Sequence, residues 1–345
     1  MSKGSSNKIL SVLLLIVVVD ILLAIIAVLK APFPLHVDVG APTAYLSIYI
    51  HVPLAWSSYL LFTLALIGGI LYLVKGDEKY DRLTRVSAFL GVVYGIGTIV
   101  TGMAWASESW GAAWNWDPRE TGVLLLLLAY IGYFALRQSI PDPERKRLVA
   151  SIYAIVAFAT VPLSFAAAYA TQSLHPKASQ AGAFFSQPEV LKYFVSRVII
   201  ASITAVLLVA ALISKRPSPQ LTRAAQVVGA LIVIIGLSAA LYAVKPFLLD
   251  SPARVLNATL NSNGEIVRLT TSNGNYTFQQ PVKSPVNPPL YNGTPSVIGH
   301  LVVVSDNSVD LVIHWCVALV LGVYALIVGG ILLLYTWLHK LLQRV

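Results

Sequence analysis

A single cysteine, Cys316, stands in a chain of 345 residues, so neither an internal disulfide nor any C-x-x-C or C-x-x-C-H pattern can form. A prosthetic group fixed through thioethers is thereby excluded, and Cys316 reads as a small apolar residue within a helix. Charge is scarce as well. Asp, Glu, Lys and Arg make up 11% of the chain, against about 25% in soluble globular domains, while 57% is hydrophobic. That composition is the mark of a polytopic membrane protein. The net charge of +9 could suggest nucleic acid, but the basic residues are spread over short loops and form no nucleic-acid-binding module, so no nucleic-acid partner is expected. The spacings H-x₃-H and H-E-x-x-H and any cysteine cluster are missing, which removes the usual zinc sites. A P-loop, a nucleophile–base pair and a redox cysteine pair are missing too. A binding or transport role is therefore expected ahead of an enzyme.

What is present is a series of apolar runs, about 9–29, 46–74, 84–106, 121–137, 148–171, 191–214, 224–249 and 309–338. Each approaches or exceeds the roughly 20 residues that a helical span requires. The predicted fold is an all-α integral membrane protein of about eight transmembrane helices. With the N-terminus inside, the inner segments and adjoining helix ends carry fifteen of the 24 Lys and Arg residues, although the outer segments are longer in total. This asymmetry predicts both termini in the cytoplasm and a multi-pass protein of the cell membrane. Asp20, in the middle of the first run, must face other helices and be paired or protonated.

The outer segment 250–308 is the only one long enough for a small domain. Glu265 to Thr271, turn residues from Ser272 and the stretch from Tyr276 predict a β-hairpin there. The sequons at Asn257, Asn275 and Asn292 fall in the same segment, in accord with its outer placement.

Four of the seven tryptophans, Trp105, Trp110, Trp114 and Trp116, lie within twelve positions between the third and fourth runs. Indole rings favour the membrane interface, so an aromatic belt is one reading. Belts are spread over several helix ends, however, and here Gly111, Ala112 and Ala113 leave a flat surface between the rings, as a platform for a large planar ligand would need. Asp117, Pro118, Arg119 and Glu120 read as N-cap, N1, N2 and N3 of the next helix, with a capping-box glutamate. Arg119 is not needed by the cap, opposes the positive helix end and stands beside the rings, so it is a candidate for an anionic ligand group. Of the six histidines, His51, followed by Pro53 and Trp56, and His175, before Pro176, flank this loop in sequence; the remainder read as solvated or helix-end residues.

The stretch Trp110-Gly-Ala-Ala-Trp-Asn-Trp-Asp-Pro-Arg-Glu-Thr121 resembles the tryptophan-rich WWD segment of the haem-handling cytochrome c maturation proteins, the CcmC, CcmF and CcsA superfamily. Tyr49-Ile-His-Val-Pro-Leu-Ala-Trp56 and Ser173-Leu-His-Pro176 are similar to CcmC in particular. The resemblance implies non-covalent haem b held by the loop 105–121, with His51 and His175 as axial ligands of the iron and the rings of Trp105, Trp110, Trp114 and Trp116 around it. Asp117 belongs to the same motif. The propionates would need cations, and Arg119, Lys177, Lys192 and Arg197 are the basic residues near the same face. Arg197 sits inside the run 191–214, where an unpaired charge costs about 2.5–3.5 kcal/mol; snorkelling to the headgroups is its other reading.

The partners implied are an extracytoplasmic CcmE-like haem chaperone, ABC-type CcmA/CcmB-like subunits and a small CcmD-like membrane protein. On this reading residues 1–214 form a six-helix haem-handling domain, and 215–345 an extension with two more helices and the outer segment. The form Trp-Asp-Pro-Arg-Glu-Thr is closer to CcsA, so a cytochrome c haem lyase is the alternative function. A b-type electron-transfer subunit is the second, disfavoured because no histidine falls at mid-membrane depth. His314 and His300 stay open as further ligands.

Overall fold

The computed structural model describes residues 3–31, 46–170, 172–175, 186–244, 253–263, 265–271, 274–283, 290–291, 294–295, 301–305, 308–312 and 315–343. His36, His300, His314, Lys177, Pro176 and the sequon at Asn292 lie outside them. The helices are α1 (Lys3–Lys30), α2 (Ile48–Lys75), α3 (Glu78–Trp110), α4 (Pro118–Ser139), α5 (Pro143–Ala157), α6 (Thr160–Ala170), α7 (Pro188–Ile213), α8 (Pro219–Val244), α9 (Trp315–Leu333) and α10 (Tyr335–Gln343). Among the described residues eight spans are long and apolar enough to cross a membrane, α5 and α6 together making one.

The break between α5 and α6 follows from Pro162. A proline has no amide to give to the carbonyl four residues back, here that of Phe158, which instead accepts from the Val161 amide at 2.9 Å. The last apolar run departs from expectation at both ends. Its first residues form a strand, because Ser308 to Leu311 alternate in polarity and find a partner strand, and its last turns separate as α10.

α2 and α3 are the central antiparallel pair. One side of them packs with α1, α7 and α9 around Leu54, Tyr94, Ala205 and Val328. The other side packs with α4 and α5 around Phe62, Tyr130 and Ala154. Close approach is used where α8 meets α9: a Cβ on Gly229 would lie 2.4 Å from the Leu333 amide nitrogen, and one on Gly236 3.0 Å from the Gly322 carbonyl oxygen. Glycines seven apart on each helix, 229 and 236 against 322 and 329, thus let the two backbones touch, the small-residue packing available where lipid offers no hydrophobic drive.

Two buried ion pairs tie distant helices. Arg137 of α4 is bidentate to Asp81 of α3, both bonds at 2.7 Å, the geometry that suits a guanidinium best. Asp20 of α1 is fully buried and is paired with Arg197 of α7, as the depth of its charge required.

Between α8 and α9 lies a five-stranded antiparallel sheet with the order β3-β2-β1-β6-β7, built from β1 (Ala253–Leu260), β2 (Glu265–Thr271), β3 (Gly274–Lys283), β6 (Leu301–Ser305) and β7 (Ser308–Val312); β4 (Leu290–Tyr291) and β5 (Thr294–Pro295) form a separate two-stranded ladder. The expected hairpin is β2–β3, with Thr271 opposite Gly274.

Candidate functional site

α3 ends at Trp110 with Gly111 in the left-handed conformation, φ +79°, which an L side chain would resist. The chain then turns through Ala112 to Trp116 and re-enters α4 at Pro118. The Glu120 carboxylate accepts from the amides of Asn115 at 3.0 Å and Asp117 at 3.3 Å, and Asp117 accepts from the Arg119 amide at 2.9 Å. The capping box read from the sequence is therefore formed.

Asp117 does more than cap. Its Oδ1 also lies 2.7 Å from His175 Nδ1, and Oδ2 accepts from Ser173 Oγ at 2.8 Å and the Leu174 amide at 2.6 Å. One carboxylate thus joins the start of α4 to the segment 173–175 beyond α6. Burial would raise the Asp117 pKa, but the bonds from His175, Ser173 and Leu174 outweigh it and hold the carboxyl well below its ordinary range. As an ionised group it can only accept, so His175 donates through Nδ1, the tautomer that in a neutral imidazole leaves Nε2 as the acceptor.

His51 reaches the same state by a neutral route. Its Nδ1 lies 2.8 Å from Thr101 Oγ1. The Thr101 hydroxyl also lies 2.8 Å from the Gly97 carbonyl and 3.1 Å from that of Thr98; donating there, it accepts from His51 Nδ1, the tautomer that leaves Nε2 bare. One helical turn is shaped around this ring: a Cβ on Gly102 would lie 3.1 Å from His51 Cε1.

Both imidazoles line one cavity of about 370 Å³ at the end of the molecule where α2 begins and α3 ends, within the range of roughly 300–1,000 Å³ usual for small-molecule sites. Trp105, Trp110, Trp114 and Arg119 line it with them, and so do Trp56, Tyr59, Met103, Phe165, Tyr169 and Phe194. Trp105 and Trp110 stand edge to face at 4.7 Å, and Trp110 lies 4.9 Å from the His175 ring. The Arg119 guanidinium is 5.5 Å from the centre of the Phe165 ring. Its Nε is buried and has no hydrogen-bond partner among the described residues, so a cation is held at the wall with a donor to spare.

Three expected site residues do not line this cavity. Asp117 stands behind His175; the other two lie elsewhere. Trp116, at φ +55°, is 72% exposed and meets Trp114 edge to face at 5.7 Å. Its own neighbours are Pro118 and Thr121 of α4 and Thr160 and Leu163 at the α6 side. The reason is local: the left-handed turn that feeds the cap sends alternate indoles to opposite sides. Arg197 is 1% exposed and faces inward between α1, α2 and α9, where the Tyr49 carbonyl takes its Nε and Asp20 its Nη1; neither snorkelling nor a place at the cavity describes it. Conversely, Thr101, Gly102 and the wall residues of α6 and α7 were not anticipated from the sequence.

The family described as CcmC, Heme exporter protein C, matches residues 3–241. This chain belongs to that family. Among curated relatives, Heme exporter protein C of Rhodobacter capsulatus is 30% identical over 143 residues, 41% of this chain and 58% of the relative. The protein of the same name in Paracoccus denitrificans is 29% identical over 133 residues, 38% and 55% of the two chains, and that of Escherichia coli K12 is 31% identical over 127 residues, 36% and 51%. The chain thus spans a little over half the length of the curated relatives it matches. The family match takes in α1 to nearly the end of α8, whereas the sheet, α9 and α10 lie beyond it.

Proposed function

We propose that this membrane protein binds haem b non-covalently in the cavity between His51 and His175, and passes it to an acceptor in cytochrome c maturation. The observation that carries this reading is that both imidazoles line one aromatic cavity with Nδ1 held by a hydrogen-bond partner, the bond that orients an axial ligand of haem iron and leaves Nε2 for the metal. The fit extends to the rest of the group. Trp105, Trp110 and Trp114 offer faces and edges to a planar macrocycle, Gly102 leaves room for the ligand ring, and the unused donor of Arg119 suits a propionate. Haem, when bound, supplies the iron; the protein binds, orients and shields it. With one cysteine, buried in α9, retention rests on ligation and packing, which leaves the cargo releasable.

The charge asymmetry favours an extracytoplasmic cavity. The acceptor on this reading is a CcmE-like chaperone, with ABC-type CcmA/CcmB-like subunits and a small CcmD-like protein as membrane partners. Residues 1–214 form the haem-handling domain and 215–345 an extension of it. Absorption and pyridine haemochrome spectra of the detergent-purified protein test the proposal. A b-type, bis-imidazole spectrum lost in His51→Ala and in His175→Ala is the expected result. No haem after reconstitution, or an unchanged spectrum in both variants, overturns it.

A further inference from the structure

His51 sits in a turn of α2 that the chain has deliberately weakened. Pro53 lies inside the helix, and a proline there leaves the carbonyl four residues earlier without its amide. That carbonyl belongs to Tyr49, two residues before His51. Arg197 Nε, from α7, donates to it at 3.1 Å. The guanidinium is held in turn by Asp20 of α1, through the side chain and the backbone carbonyl, the latter at 2.8 Å. Asp20 Oδ2 accepts two further protons, from Thr204 Oγ1 at 2.8 Å and from Tyr324 Oη at 2.6 Å. Tyr324 also sets its ring 5.2 Å from the guanidinium carbon. Tyr324 is on α9, beyond the part of the chain that matches the family.

α9 reaches the same region twice more. Trp315 Nε1 donates to Glu108 Oε1 at 2.5 Å, in the turn of α3 between Trp105 and Trp110. A Cβ on Gly97 would lie 2.2 Å from Ile327 Cδ1, so α9 lies directly behind the carbonyl that fixes the Thr101 hydroxyl.

We infer that α9 is a positioning element for the haem site, and that Tyr324, acting through Asp20 and Arg197 on the carbonyl freed by Pro53, is a positioning residue for the ligand His51. This rests on the proposed haem reading. The physical reason is that in a low-dielectric interior each bond of a buried polar chain is strong and leans on the next; Arg197 spends Nε and Nη1 on this chain, while its Nη2 has no hydrogen-bond partner among the described residues. Without the Tyr324 hydroxyl, Asp20 loses a donor in a low-dielectric interior, Arg197 shifts towards it, and the Tyr49 carbonyl loses the donor that replaces the missing amide. The turn carrying His51 then relaxes, while His175, tethered by Asp117, stays in place.

The test compares Tyr324→Phe with Tyr335→Phe in the full-length protein. Tyr335 Oη makes one buried bond as well, to the Ala211 carbonyl at 2.9 Å, but far along the fold from the cavity, so it controls for the simple loss of a buried hydroxyl. Three readouts are taken: the ferric low-spin EPR spectrum, which responds to the relative orientation of two axial imidazoles; the rate of haem loss to excess apomyoglobin; and, without haem, the rate at which diethylpyrocarbonate modifies His51, read by peptide mass analysis. Tyr324→Phe is expected to shift the EPR signal, to speed haem loss about fivefold, somewhat below the tenfold or more that follows loss of a direct ligand partner, and to change the His51 modification rate. Tyr335→Phe is expected to move none of them. Should Tyr324→Phe fail to accumulate, Thr204→Val removes the other hydroxyl from Asp20 Oδ2 and is expected to act the same way. A wild-type bis-imidazole spectrum with all three readouts unchanged in Tyr324→Phe, or changed equally in both tyrosine variants, overturns this inference and leaves the haem reading standing. A wild-type protein without that spectrum overturns the haem reading itself.

Discussion

Asp117 serves five donors with two oxygens: the Arg119 and Glu120 amides, His175 Nδ1, Ser173 Oγ and the Leu174 amide. A carboxylate offers about four lone-pair positions, so none is left for a ligand, and the residue acts on haem through His175. Asp117→Asn keeps the shape but turns one acceptor into a donor facing other donors. Haem affinity should fall about 10–100-fold, the usual effect of losing a partner that orients a metal ligand, as measured by haem titration. The pH dependence has a definite sign. Because the folded carboxyl is held below its ordinary value, its stabilising contribution is complete above about pH 4 and is lost as the pH falls through the lowered folded value. Acid should therefore loosen the tryptophan loop in the wild-type apoprotein, seen as a change in Trp fluorescence, while Asp117→Asn should be insensitive to that step. Gly102→Ala should separate stability from function. A helical Ala is favoured over Gly by about 1 kcal/mol, yet the new Cβ would press on a His51 ring already fixed by Thr101, so the thermal midpoint should hold or rise while haem titration shows weaker binding. The cap at Asp117 was legible because capping is a pattern of three or four neighbouring residues. Its bond to His175 spans 58 positions and that of His51 to Thr101 spans 50. A threonine and a glycine inside an apolar run carry no mark of what they will touch, since that depends on the register of α3 against α2.

The spans were legible as elements because length and hydropathy decide them and the bilayer enforces a helix. Details at their ends were not. Pro162 divides one run into α5 and α6, and the residues before α9 join a strand because β6 offers them a partner, which no local count of apolar residues reveals. The contact of α8 with α9 was equally hidden: glycines are common in membrane helices, and only the structure shows which meet a backbone. Gly229→Ala would place a Cβ 2.4 Å from the Leu333 nitrogen and 2.7 Å from the Gly329 oxygen. Neither backbone atom can rotate away, so the helices must part, at a cost of about 1–3 kcal/mol. Gly330→Ala meets nothing within 4 Å and should be neutral or slightly stabilising. Thermal unfolding of the two variants in detergent checks the contrast; equal midpoints would mean that α8 and α9 are not packed in this way.

For the whole molecule, the eight spans among the described residues put residues 3 and 343 on the same side of the membrane, and the cavity with the tryptophan loop on the other. Charge is the one argument for the proposed orientation, since Lys and Arg concentrate at the ends remote from the cavity. The chain is well suited to a direct test. Its one cysteine, Cys316, is fully buried, and burial pushes thiols towards the unreactive neutral form, so the wild-type background should be silent to a membrane-impermeant maleimide. Ala112, in the exposed part of the tryptophan loop, and Glu144, exposed in the first turn of α5, lie at opposite ends of the bundle. In intact cells Ala112→Cys should be labelled and Glu144→Cys should not; after permeabilisation both should be. The reverse pattern would put the cavity on the cytoplasmic side, and haem would then have to be offered to a partner inside the cell. Ala112→Cys also stands beside the indoles at the cavity mouth, so labelling with a bulky maleimide should slow haem entry without altering the spectrum of haem already bound.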